Sequence, residues 1–122
     1  MRLPVCIVDD NRDMRDVLAR IVRKVGLRSE VYESAEAFLK RRDSSRIGCL
    51  LLDVNLSGMS GLELLEQLSD KQLGYPVFLI SGAHDAQTVA HAKRYGAVVV
   101  DKPFDARALA QRVIASVSAP KA

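Results

Sequence analysis

The 122 residues, 48% hydrophobic and 27% charged, suit one domain with one sizeable core and are too few for two comfortable ones. Seven glycines and four prolines exclude collagen-like and disordered chains, and a net charge of +3, with three Tyr and three Phe not interleaved with the basic residues, does not suggest a nucleic-acid platform. No apolar run approaches the roughly 18–20 residues of a membrane span, and MRLPVCIVDD lacks the pattern of a signal peptide, so a cytoplasmic chain is expected.

Leu3–Val8 reads as a first strand, followed by Asp9 and Asp10. Met14, Val17, Leu18, Ile21, Val22 and Val25 then recur at helical spacing, and Gly26 supplies a left-handed residue to end the helix. Arg12, Arg15, Arg20, Arg23 and Lys24 on this helix read as a solvated face, with a partner-docking face as the sharper alternative. Arg28–Tyr32 alternates in polarity, as an edge strand does. Ser34 can cap a second helix burying Ala37 and Phe38, and a basic cluster of Lys40, Arg41, Arg42 and Arg46 follows.

Cys49–Leu52 reads as a third strand leading to Asp53. Ser60 with Glu63 forms a capping box for a third helix whose Leu62, Leu65 and Leu68 point inward before Gly74 and Pro76 break the chain. Val77–Ile80 is the fourth strand and leads to Ser81. Asp85 can cap a fourth helix with Val89, Ala92 and Tyr95 inside. Val98–Val100 is the fifth strand, leading to Asp101 and Lys102, and Asp105 can cap a last helix striped by Leu109, Val113, Ile114 and Val117. Cys6 and Cys49 lie in apolar stretches and read as reduced core residues, far along the chain from His84 and His91.

Five alternations of apolar strand and amphipathic helix, with short loops and no repeat, predict a single α/β domain with a parallel sheet covered on both sides. Loops leaving the carboxyl ends of such strands converge on a crevice. Asp9, Asp10 and Asp53 would meet there with Ser81, Asp101 and Lys102. Three converging carboxylates repel one another unless a hard divalent cation such as Mg²⁺ sits among them. Taken alone, Asp9-Asp10 reads equally well as a helix cap beside Asn11; Asp53, behind an apolar strand, needs no such role. Lys102 and Ser81 could pair with or hydrogen-bond an added phosphoryl group.

VDDN at Val8–Asn11, LLDVNLSGMSGLEL at Leu51–Leu64, LISG at Leu79–Gly82 and DKPF at Asp101–Phe104 together resemble the receiver domain of two-component response regulators over essentially the whole chain. The second and third segments are most similar to receivers that precede helix-turn-helix domains. The resemblance implies a flavodoxin-like, doubly wound five-stranded sheet of order 2-1-3-4-5 flanked by five helices, with residues 1–117 as the receiver domain and 118–122 as a tail or linker stub.

By the same resemblance, Asp53 would accept a phosphoryl group from a sensor histidine kinase, a phosphotransfer protein or a small donor. Asp10, Asp53 and the main-chain carbonyl of Asn55 would ligate Mg²⁺, and Asp9 would act through water. Ser81 would turn toward the phosphoryl group and Lys102 would pair with it, aimed by a cis bond before Pro103. Ala83 would sit where water is admitted for hydrolysis. Receivers often pair through the fourth and fifth helices, so a homodimer there is one option the resemblance leaves open; direct nucleic-acid binding by this domain, and catalysis beyond its own phosphorylation and dephosphorylation, are not expected.

Three departures stand out. Leu56-Ser57 replaces the family's common Met-Pro, which removes a rigid φ and predicts a more mobile loop. Ser81 stands for Thr and keeps the hydroxyl. Four residues, Val98 to Asp101, separate Ala97 from Lys102 where the family has five, so the aromatic switch position falls on Val99 or Val100 and neither carries a ring. The output is therefore expected to be atypical, with Tyr95 a candidate substitute.

Two other readings compete. A receiver-fold interaction module without a working switch would explain the altered fifth strand but not the complete set of polar residues. An aspartyl-phosphate phosphatase would need a general acid two residues past Asp53, where Asn55 stands.

Overall fold

The computed structural model describes residues 3–41, 47–69, 74–82, 86–102 and 104–118. The expected cap at Asp85, the water-admitting position Ala83, His84, the basic residues Arg42 and Arg46, the bond before Pro103 and the tail from 119 onward lie outside them.

Strands and helices alternate along the chain as β1 (Val5–Val8), α1 (Arg12–Lys24), β2 (Ser29–Tyr32), α2 (Ala35–Leu39), β3 (Cys49–Asp53), α3 (Gly61–Ser69), β4 (Val77–Ser81), α4 (Ala86–Arg94), β5 (Val98–Asp101) and α5 (Ala106–Ser118). The five strands form one parallel sheet in the order β2-β1-β3-β4-β5, as the sequence implied. β1, β3 and β4 are buried along their whole lengths, because a parallel sheet covered on both faces leaves them no solvent side. β2 lies at the edge, with Val31 half exposed.

Side chains of successive strand residues point to opposite faces, and that alternation divides the core in two. Cys6, Val8, Leu50, Leu52 and Leu79 pack with Phe38, Leu64, Leu65, Leu68 and Ala92 beneath α2, α3 and α4. Val5, Ile7, Leu51 and Ile80 pack with Leu18, Ile21, Val22, Leu109 and Val113 beneath α1 and α5. Each fully buried aliphatic side chain contributes about 1.5–3 kcal/mol by leaving water. Both thiols are free and buried, and burial pushes each up to about 12, which keeps them in the inert, protonated form.

Several helix faces differ from those expected. Val17 is 43% exposed, because the sheet-facing stripe of α1 centres on Leu18 and Val22 and takes in Ala19 instead. In α2 the buried partner of Phe38 is Ala35, with Ala37 only half covered. In α3, Leu64 joins Leu65 and Leu68 inside, while Leu62 is half buried. The expected caps at Ser34, Ser60 and Asp105 accept hydrogen bonds from the N–H groups of Ala37, Glu63 and Ala108. Glu63 returns the bond to the Ser60 N–H, completing the capping box. Gly26 turns left-handed after α1 with φ of 81°.

Candidate functional site

The carboxyl ends of β1, β3, β4 and β5 bring the predicted residues to one end of the sheet. Asp53, Ser81 and Asp101 are the last residues of their strands, so their positions are fixed by the sheet.

Asp9 directly follows β1 and is fully buried. Its N–H continues the ladder to Tyr32 O, its carbonyl accepts from Arg15 Nη1 at 2.8 Å, and its Oδ1 accepts the Asn11 N–H at 2.9 Å. Asn11, not the acid pair, caps α1 by accepting the Met14 N–H. Asp9 Oδ2 is buried without a hydrogen-bond partner. Burial, reinforced by the neighbouring Asp53 charge and opposed by the Asn11 N–H, pushes the Asp9 carboxyl up to about 6.

Asp53, at the end of β3, is 5% exposed. Its Oδ1 accepts the Asn55 N–H at 3.2 Å and lies 3.5 Å from Lys102 Nζ. Lys102 is placed by its own main chain: its N–H reaches Ser81 O at 2.9 Å, and its aliphatic stem runs over Gly82, where an added Cβ would touch Lys102 Cδ at 3.5 Å. Ser81 is fully buried between the two, its partner across the ladder being Asp101. Asp10 is exposed, and its Oδ2 accepts both the N–H and the Oγ–H of Ser57.

Oxygens of Asp9, Asp10 and Asp53 lie within 4.8 Å of one another. One ammonium among three carboxylates leaves an excess of negative charge, and a buried carboxylate oxygen with no donor is costly. An all-oxygen set with an unsatisfied member suits a hard divalent cation. The residues present therefore fit Mg²⁺.

The β4–β5 register pairs Ile80 with Val100 and Ser81 with Asp101. Val100 packs toward α1 and α5, whereas Val99 packs on the α3–α4 side. Of the two candidate positions, Val99 is therefore the one that faces α3 and α4. Tyr95 also packs on that side but follows α4 and precedes β5. It is separated from Ser81 by the length of β5, four residues or roughly 13 Å at about 3.3 Å each, so it cannot fill space beside Ser81.

Two contacts had no counterpart in the sequence reading. Ser57, noted only as the loss of a proline, reaches back to Asp10, and Arg15 of α1 braces the Asp9 carbonyl. A basic residue one turn into the helix that follows two acids is a legible signal for the second. Nothing local announces the first.

The chain resembles known proteins along nearly its full length. A family model for the response regulator receiver domain matches residues 5–114. The transcriptional regulatory protein FixJ of Azorhizobium caulinodans is 35% identical over 94% of this chain and 55% of its own. The response regulator protein TodT of Pseudomonas putida is 38% identical over 82% of this chain and 44% of its own. The solved structure of the response regulator StyR superposes with a TM-score of 0.86 at 33% identity, over 96% of this chain and 60% of that one. The chain spans about half the length of the curated relatives it matches. Among the described residues no helix is long and apolar enough to cross a membrane. With its motifs, its sheet order and its acidic crevice all in agreement, this chain belongs to the response regulator receiver domain family.

Proposed function

We propose that the chain is a phosphoacceptor that takes a phosphoryl group on Asp53 in a Mg²⁺-dependent reaction. The supporting observation is the convergence of the Asp9, Asp10 and Asp53 carboxylates within 4.8 Å, with Lys102 Nζ 3.5 Å from Asp53 Oδ1. Asp53 Oδ1 is held by the Asn55 N–H and faces Lys102, which leaves the other carboxylate oxygen to attack phosphorus. A P–O bond forms there as the bond from phosphorus to a donor histidine nitrogen, or to the oxygen of acetyl phosphate, breaks and its electron pair departs with the donor.

Asp10, Asp53 and the Asn55 carbonyl would hold Mg²⁺, with Asp9 acting through water. When bound, the ion supplies positive charge against the equatorial phosphoryl oxygens. Lys102 moves its pairing from the carboxylate to a phosphoryl oxygen, and the Ser81 hydroxyl donates to another. In the return step, water oxygen attacks phosphorus, the Asp53 carboxylate leaves, and the water proton ends on inorganic phosphate. No external substrate is turned over.

In this reading residues 1–117 form the receiver and 118–122 a tail, and the chain works in the cytoplasm with a sensor histidine kinase or phosphotransfer protein as donor. Pairing of two copies through α4 and α5 is part of the same proposal. With a valine at position 99, phosphorylation is read out differently from the aromatic swing that the family uses.

Incubation with acetyl phosphate and Mg²⁺ followed by intact-mass measurement tests the chemistry. A mass gain of one phosphoryl group is expected, absent without Mg²⁺ and absent in Asp53→Asn. No gain in the unaltered chain, or a gain that persists in the variant, would overturn the assignment.

A further inference from the structure

Ser57 stands in the loop between β3 and α3, where a proline, which the family resemblance leads one to expect, would have no N–H to give. Here both the N–H and the Oγ–H of Ser57 donate to a single oxygen, Asp10 Oδ2, at 3.1 and 3.0 Å, across 47 positions of sequence. The loop is tied on its other side as well. Met59 N–H donates to Glu36 Oε2 at 3.1 Å, and Gly58, at φ of 76°, lies so close that an added Cβ would come within 2.8 Å of the same Glu36 oxygen.

Asp10 is the exposed member of the three acids; Asp9 and Asp53 are held inside by the fold. Before a cation arrives, repulsion from those two favours rotamers that turn Asp10 outward to water. Two donors fixed on a tethered loop oppose that turn, and with Oδ2 taken, Oδ1 is the oxygen Asp10 offers to an ion. Carboxylate ligands oriented in this way by outer hydrogen bonds bind metal more tightly.

We propose that Ser57 is a positioning residue for the cation site, holding Asp10 toward Asp9 and Asp53 in the metal-free protein. The proposal rests on the reading of the acidic cluster as a Mg²⁺ site. It makes the departure from proline a compensating change: a stiff φ is exchanged for two direct bonds to a ligand.

Mg²⁺ titration of the full chain, followed by amide chemical shifts and independently by the rise in melting temperature, tests it in the unaltered protein, Ser57→Ala and Ser57→Thr. Because both partners are exposed, Ser57→Ala should weaken Mg²⁺ binding by about tenfold, the low end of outer-shell effects. Ser57→Thr, which keeps the hydroxyl, should restore it. Melting temperatures without Mg²⁺ should be alike, which a merely structural role for Ser57 would not give. Unchanged or tighter binding in Ser57→Ala overturns the role of Ser57 while leaving the site standing. Absence of Mg²⁺ binding in the unaltered chain overturns the site itself, and this role with it.

Discussion

Gly61 opens α3 with its N–H bonded to Val54 O, pressed against the end of β3. A Cβ there would run into the carbonyl oxygen of Asp53 and come within 2.8 Å of Val54 Cα. Those are main-chain atoms at the end of, and just past, a strand paired on both sides, so they cannot swing clear as a side chain would. Gly61→Ala should therefore lose about 2–3 kcal/mol of stability. The atoms displaced include the Asp53 carbonyl, so phosphorylation by acetyl phosphate should slow even in the fraction that remains folded. Urea unfolding and a time course of mass gain separate the two effects; a variant as stable and as fast as the parent would show that the contact relaxes easily. At this scale the acids, Ser81 and Lys102 were legible, because strand ends in a wound sheet are where polar residues gather. Gly61 and Ser57 were not, since their roles depend on how closely one loop approaches another.

Among the elements, the strands were easier to read than the helices. A buried parallel strand is apolar throughout, so its identity does not depend on which face is inward. The differences lie at strand ends, where β3, β4 and β5 run one residue further, to Asp53, Ser81 and Asp101, and β1 and β2 begin at Val5 and Ser29 rather than Leu3 and Arg28. A helix must be assigned a direction, and stripes one position apart are nearly equivalent in sequence; the sheet decides, which is how Ala19 replaced Val17 and Leu64 joined α3's inner face. β5 shows the remaining difficulty. Counting could not choose between Val99 and Val100, whereas ladder pairing sets Val99 opposite Leu79 and on the α4 side. The consequence can be tested there. Beryllofluoride, an acyl-phosphate mimic, should shift few amide signals in α4 and β5 of the natural chain. Val99→Tyr, which supplies the missing ring, should enlarge those shifts. Large α4 and β5 shifts in the natural chain would mean that the segment responds without a ring.

Over the whole molecule, the two ends of the sheet hold charge differently. The carboxyl end gathers three carboxylates, one of which has a buried oxygen without a hydrogen-bond partner. Toward the other end, the edge strand β2 is tied to the end of α2 by a well-satisfied cluster: Glu30 Oε1 accepts from Arg41 Nε at 2.8 Å and from Tyr32 OH at 2.9 Å, with Cys6 Sγ at 3.9 Å. The Arg41 hydrogen bond, aided by that of Tyr32, holds the Glu30 carboxyl below its ordinary 4.5. The folded state then binds fewer protons at Glu30 than the unfolded chain does, so the stability from this group is complete above pH 4.5 and is lost as pH falls through that value toward the lower folded one. Because the Glu30 side chain is 37% exposed, screening reduces the effect, and Glu30→Gln should cost no more than about 1 kcal/mol at pH 7. Urea midpoints of parent and variant at pH 7, 5 and 4 should converge as the pH drops, because protonation removes from the parent what the substitution has already removed from the variant. A gap that stays constant, or widens toward acid, would mean that the ion pair does not hold β2 against α2 and that packing of Tyr32 on Phe38, edge to face at 5.4 Å, secures this corner instead.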